Sequence, residues 1–215
     1  MLFQNPRRDS AVIALIFFAV LGGVFSLPNA IRFVTAQNAR AAHGVVEVQL
    51  SPDERTSIEK EIVGIHNGIQ RGDGGEGQGL ARQYTKLGEL YEKLGYLQKA
   101  KDAYVKALKQ DMRNADTHLH SASVLIRMKD YRGAKKAFEA ALDAEPYGWK
   151  SYDAYAQFYA ATLHNLDEAR GMYLKGLVAT ANHIDLMRAY AAFLESHGML
   201  SEAHEYLQEI LNREK

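Results

Sequence analysis

Apolar and polar residues follow a helical period over most of this chain. Ile58, Ile62, Ile65 and Ile69 fall at alternating steps of four and three, which is one stripe of a helix. Ser51 stands in the N-cap place of that helix, with Pro52 at its first position and Glu54 at its third, the pattern of a capping box. From Ala81 onward a second pattern begins. Tyr84, Leu87, Gly88 and Tyr91 lie at i, i+3, i+4 and i+7, and a second helix follows with Ala100, Tyr104 and Ala107 on its apolar side. The same slots hold His118, Ser121, Ala122 and Leu125, then Ala134, Phe138 and Ala141. They return as Tyr152, Tyr155, Ala156 and Tyr159, then Ala169, Tyr173 and Gly176. A last copy places Met187, Tyr190, Ala191 and Leu194, then Ala203, Leu207 and Ile210. A recurrence of about 34 residues marks stacked hairpins, each unable to bury its apolar side alone. In the third copy the second-helix slots arrive one residue late, which predicts an insertion near His164 and Asn165.

Residue size explains the spacing. Small residues at Gly88, Ala122, Ala156 and Ala191 let the first helix of each hairpin (A) approach the second (B). Large ones at Tyr91, Tyr104, Phe138, Tyr159 and Tyr173 fill the space between successive pairs. Gly95 and Gly198 fall where helix A ends, a position that favours positive φ. This pattern resembles the tetratricopeptide repeat, with Leu87-Gly88, Tyr91, Ala100, Tyr104, Ala107 and Pro146 in the slots that family fills. The resemblance implies an all-α solenoid of four helix–turn–helix units, at residues 81–114, 115–148, 149–183 and 184–215. Two ends of the stack differ from the repeats. The isoleucine helix, residues 51–70, is expected to cover the first repeat, with a dimer seam as the alternative. Tyr206, Leu207, Ile210 and Leu211 close the stack without an added solvating helix.

Residues 10–31 carry no charge and are bracketed by Asp9 and Arg32. As a helix such a run is about 33 Å long, close to the ~30 Å hydrocarbon core of a bilayer. A transmembrane signal anchor is expected there, after a short tail at residues 1–9 and before a stalk at 32–50. Arg7 and Arg8 precede it and Arg32 and Arg40 follow more widely spaced, a bias toward extracytoplasmic repeats at the cell membrane. The Gly-rich stretch 71–79 reads as a linker. Gly72-x-Gly74-x-x-Gly77 has the letters of a dinucleotide fingerprint, but a helix precedes it where the fingerprint needs a strand.

Composition narrows the chemistry. With 26 basic and 26 acidic residues the formal charge is zero, so no electrostatic footprint for nucleic acid is expected. No cysteine is present, so thiol nucleophiles and Cys-based metal sites are excluded. His118 and His120 point about 200° apart on a helix and cannot share a metal, and His118 sits in a core slot. The sequence offers no candidate catalytic residue, metal site or cofactor site, and the expectation is a binding protein rather than an enzyme.

The repeat resemblance also implies where a partner would sit. In that family the A helices line the concave side, and their non-consensus slots make contact. Here those slots are Arg82, Thr85, Glu89 and Lys93 in the first unit, and Asp116, Leu119, Ser123, Ile126 and Arg127 in the second. The third supplies Lys150, Asp153, Gln157 and Ala161, and the fourth Asp185, Arg188, Ala192 and Glu195. Mixed charge around an apolar middle suits a protein or peptide segment. The clamp that some repeat co-chaperones use for a chain-terminal carboxylate maps to Thr85, Glu89, His120, Lys150 and Ala154, of which Lys150 alone agrees. The expected function is a membrane-anchored adaptor that holds a partner near the bilayer and assists assembly or secretion of envelope proteins. A self-assembling scaffold is the alternative.

Overall fold

The computed structural model describes residues 50–214. The expected transmembrane anchor and most of the stalk lie outside the described residues, and no described helix is long and apolar enough to cross a membrane. Among the described residues nine α-helices and one π-turn follow one another: α1 Pro52–Arg71, α2 Gln78–Lys93, α3 Leu97–Gln110, α4 Ala115–Arg127, α5 Tyr131–Ala144, α6 Trp149–Gln157 with a π-turn at Phe158–Thr162, α7 Leu166–Ala179, α8 Ile184–Ser196 and α9 Leu200–Arg213. Helices α2, α4, α6 and α8 are the A helices, and each packs most closely on the B helix that follows it.

Helix α1 starts as its sequence dictates. The Ser51 hydroxyl accepts from the Glu54 amide at 3.2 Å while the Glu54 carboxylate accepts from the Ser51 amide at 2.9 Å. The Ser51 amide and the Ser51 hydroxyl both donate to that carboxylate, which favours its charged form and lowers the Glu54 pKa. Its isoleucine stripe lies on the first hairpin, where Ile62, Leu87, Leu90, Leu94 and Ala103 form a buried aliphatic cluster. Ile58, Ile65 and Ile69 border that cluster together with Tyr84 and Tyr91. The stripe therefore covers the first repeat rather than facing away as a seam.

The small slots work as close approaches. A Cβ on Gly88 would stand 2.3 Å from the Tyr104 ring, so no larger residue fits between α2 and α3 as they are placed. Ala122, Ala156 and Ala191 take the equivalent place and are buried. Gly176 does the same on α7, where a Cβ would meet Tyr152 at 2.6 Å and Leu186 at 2.8 Å. Around α4–α9 a continuous cluster forms, rich in aromatic rings. Phe138 stacks on Tyr155 with centroids 5.0 Å apart, and Tyr155 on Tyr159 at 4.9 Å. Tyr173 lies 5.2 Å from both Tyr190 and Phe193. Such pairs each add about 0.5–1.5 kcal/mol beyond the area they bury.

Every A helix ends in the same backbone motif. The amide two residues past the helix cap reaches back to a carbonyl in the last turn: Tyr96 to Tyr91, Asp130 to Leu125, Met199 to Leu194. The residue between is left-handed, Gly95 at φ 76° and Gly198 at φ 78°, but also Lys129 at φ 62° and His164 at φ 53°. In the third repeat the equivalent bond runs from Asn165 to Tyr159, one residue wider. The extra residue is thus not in the turn at His164–Asn165. It is absorbed inside the helix as the π-turn Phe158–Thr162, which closes with the Leu163 amide on the Phe158 carbonyl at 3.2 Å. His118 also differs from expectation. It is half-buried, and its Nε2 lies 3.0 Å from the Met112 carbonyl at the preceding turn.

Candidate partner-binding wall

The helix order decides which side is concave. Successive A helices touch, α2 with α4, α4 with α6 and α6 with α8, whereas successive B helices make no comparable contact. The A row is therefore the tighter, inner side of the stack, and the sequence-derived contact slots lie along it.

The first two A helices enclose a recess of about 500 Å³ lined by Glu89, Glu92 and Lys93 of α2 and His120 and Arg127 of α4. Its floor is a hydrogen-bonded network. One Glu92 oxygen accepts from Arg127 Nη1 and from the Ser123 hydroxyl, each at 3.1 Å. The other accepts from the Tyr104 hydroxyl at 3.2 Å. Tyr104 is fully buried, so its hydroxyl needs such an acceptor, and burial together with the Glu92 charge raises its pKa. Above the floor the His120 ring lies parallel to Tyr104 with centroids 5.7 Å apart, and its Nε2 stands 3.6 Å from Glu89. Glu89 is also 3.9 Å from Lys86, which reaches Glu61 of α1 at 3.6 Å. Lys93 has no carboxylate partner among the described residues.

Glu89, Lys93 and Arg127 thus meet in one place. Thr85 and Ser123 are engaged between helices instead: Thr85 bonds the buried Thr117 hydroxyl at 2.9 Å, and Ser123 supports Glu92. Leu119 and Ile126 are only half-exposed and pack against the main core, so much of their apolar surface is already used. Arg82, Asp116 and Lys150 are exposed on their helices. Asp153 accepts from the Tyr173 hydroxyl and from Gln157, both at 2.9 Å, so it serves the core as Glu92 does. Farther along, Ala161 is exposed in the π-turn, and Ala192 and Glu195 are exposed on α8. Asp185 pairs with Arg188 at 3.1 Å, and Arg188 also reaches Glu214.

Slot reading missed Glu92 and His120 as recess residues. A buried tyrosine demands an acceptor, and Glu92 was a carboxylate on the facing helix; that was the available signal. Chemically, the recess presents a neutralised carboxylate–guanidinium pair, a Glu89 rim acceptor and a free Lys93 donor. Such a surface suits the backbone and polar side chains of a polypeptide and disfavours a free carboxylate terminus beside Glu89. Among the described residues no group of three or more His, Asp or Glu side chains is arranged to hold a metal.

The tetratricopeptide-repeat family model matches residues 81–111 and 115–147, the first two hairpins. Among solved structures, the chain is similar to the crystal structure of MamA, at 18% identity and a TM-score of 0.54, covering 79% of this chain and 96% of that one. A second crystal structure of MamA protein gives 18% identity and a TM-score of 0.53, over 74% of this chain and 84% of that one. A MamA RS-1 double mutant agrees equally, at 18% identity, a TM-score of 0.53, and 74% and 86% coverage. These likenesses show the helical-repeat fold, and they extend it past the two hairpins that the family model matches. No curated protein sequence matches the chain.

Proposed function

We propose that the protein is a non-enzymatic adaptor, anchored to a membrane by residues 10–31, whose inner wall of A helices holds a polypeptide partner. The carrying observation is the recess between α2 and α4. There Glu89, Lys93 and His120 stand at the surface over a floor fixed by Glu92, Arg127 and Tyr104. Pre-set polar groups reduce the ordering cost of binding. Confinement at a membrane raises the effective concentration of partners already there, and handling of envelope proteins on the extracytoplasmic side is the task that suits this layout. The test is affinity capture from detergent extract with wild-type protein and a Glu89→Lys, Lys93→Glu swap. Both side chains are accessible, so the swap leaves the core intact. Specific loss of a wild-type partner supports the reading, and identical partner lists remove the recess from it.

One observation favours self-assembly as a second reading. The terminal helix α9 leaves Leu211 53% exposed, with Tyr206 and Leu207 half-buried beside it. Sedimentation of the full chain in detergent tests this: concentration-dependent oligomers support it, and a monomer at all concentrations rejects it.

A further inference from the structure

The last B helix keeps the face that, in the units before it, the next A helix covers. In each of the first three hairpins one ring of the B helix lies under side chains of the following A helix. Tyr104 of α3 stacks with His120 of α4, their centroids 5.7 Å apart. Phe138 of α5 lies 5.0 Å from Tyr155 and 5.4 Å from Phe158, and Tyr173 of α7 lies 5.2 Å from both Tyr190 and Phe193. Leu207 holds that slot in α9, and among the described residues no helix follows it. One turn farther on the same face, Leu142 and Leu177 are 9% and 3% exposed, whereas Leu211 is 53% exposed. Leu200, two turns earlier, is 64% exposed. Three leucines at i, i+7 and i+11 thus line one side of α9.

The A row shows what such a helix carries. Glu92 at the end of α2 accepts from Arg127 of the following A helix, and Val124, three residues before that arginine, is buried against Leu97 and Tyr104. One helix face therefore supplies both the apolar contact and the cation. Phe158 and Phe193 take the Val124 slot in the next two units. The Glu92 slot holds Ile126 and Ala160 in the middle of the row and Glu195 at its end. Glu195 is exposed and has no cation partner among the described residues. A second copy of the chain does not complement it. The cations at this end are engaged, Arg188 with Asp185 and Glu214, and Arg213 with Glu209 and the Asn182 carbonyl. The other end is closed by α1, whose outward side exposes Glu59, Lys60 and Asn67, with Val63 alone among large apolar residues.

We infer that this end face, Leu200, Leu207 and Leu211 of α9 with Glu195 of α8, docks an amphipathic helix of a separate polypeptide. That helix brings a large apolar residue over Leu207 and, three residues later, a Lys or Arg to Glu195. It runs antiparallel to α9, as each A helix does to the B helix before it. Leu207 is smaller than Tyr104, Phe138 or Tyr173, so the face accepts a bulky side chain such as Phe. The site goes beyond the inner-wall recess and lies at the opposite end of the stack from it.

The test uses the full chain in detergent with a benzophenone side chain at Gln208, an exposed residue beside this face. The probe is a fluorescent peptide of residues 184–197 carrying Ser196→Arg, so that Phe193 and an arginine stand three apart. A side-chain staple between positions 187 and 191 holds it helical. The expected result is a saturable adduct at position 208 that unlabelled peptide competes away. Glu195→Arg weakens the apparent affinity about fivefold, and a peptide with Ser196→Glu restores it. Leu211→Asp abolishes the adduct, and the Glu89→Lys, Lys93→Glu swap leaves it unchanged. No saturable adduct, or one indifferent to both Glu195→Arg and Leu211→Asp, overturns the site and leaves the recess untouched. Adducts between two copies of the chain that exclude the peptide overturn the occupant. An adduct lost with the Glu89→Lys, Lys93→Glu swap assigns the peptide to the recess and overturns the end face.

Discussion

The first two repeats and the last two reach the same backbone arrangement by different packing. In the first hairpin, closeness dominates. Gly88 admits the Tyr104 ring, and the α3–α4 junction is a compact set of Leu97, Ala100, Tyr104 and Val124. In the last two, ring volume dominates. Tyr152, Tyr155, Phe158, Tyr159, Tyr173, Tyr190 and Phe193 share one cluster, and the third repeat holds an extra residue without opening its turn. The family model finds the first pair and not the second, although the fold continues unchanged. The lesson is that the hairpin stack needs filled volume and matched helix spacing more than it needs particular consensus letters.

Alkaline pH separates the two halves most strongly. Burial raises the pKa of Tyr152, Tyr155, Tyr173, Tyr190 and Tyr206 in the last two repeats, against Tyr91 and Tyr104 in the first. A folded pKa above the unfolded one means stability that is fully present below the unfolded value of about 10 and is lost as pH rises through the folded value. The last two repeats should therefore lose structure first above about pH 10. Ultraviolet tyrosine titration with amide-resolved exchange checks this; smooth ionisation of all twelve tyrosines in a folded chain contradicts it.

Next in size are the close approaches. Gly88→Ala and Gly176→Ala each force a Cβ into a ring and should cost about 2–3 kcal/mol in denaturant unfolding. Gly171→Ala, whose Cβ meets nothing within 4 Å on an exposed helix, should instead gain about 0.5–1 kcal/mol. Equal effects at the three sites would remove spacing as the cause. Arg127→Met leaves Glu92 without its cation and should cost about 1–2 kcal/mol, restricted to the first two repeats.

The smallest effects lie in the turns. Lys129→Gly and His164→Gly put glycine where φ is 62° and 53°, and each should raise the unfolding midpoint by the equivalent of about 1 kcal/mol. A gain at Lys129 alone would show that the π-turn relaxes the strain at His164.

Much of this architecture is legible in the residues. The i, i+3, i+4, i+7 apolar slots name both helices of each hairpin, and Ser51, Pro52 and Glu54 name the start of α1. Gly95 and Gly198 mark two of the left-handed turns; Lys129 and His164 hide the other two, because the backbone motif overrides residue preference. The late arrival of Ala169 reveals an insertion but not its place, since a π-turn and a longer loop give the same spacing. The recess is the least legible. Glu92 meets Ser123 and Arg127 across a repeat boundary, and a pattern read within each unit has no term for a bond between units.

The proposed adaptor role requires the A helices to form the wall that holds a polypeptide. Photo-crosslinking in intact cells addresses it directly, with a benzophenone side chain placed singly at Lys93 and Ala192 on the A row and at Lys135 and Lys175 on B helices, all four exposed. Discrete polypeptide adducts from Lys93 and Ala192, absent from Lys135 and Lys175 and lost with the Glu89→Lys, Lys93→Glu swap read from position 192, are the predicted result. Adducts from the B-helix positions alone would contradict it.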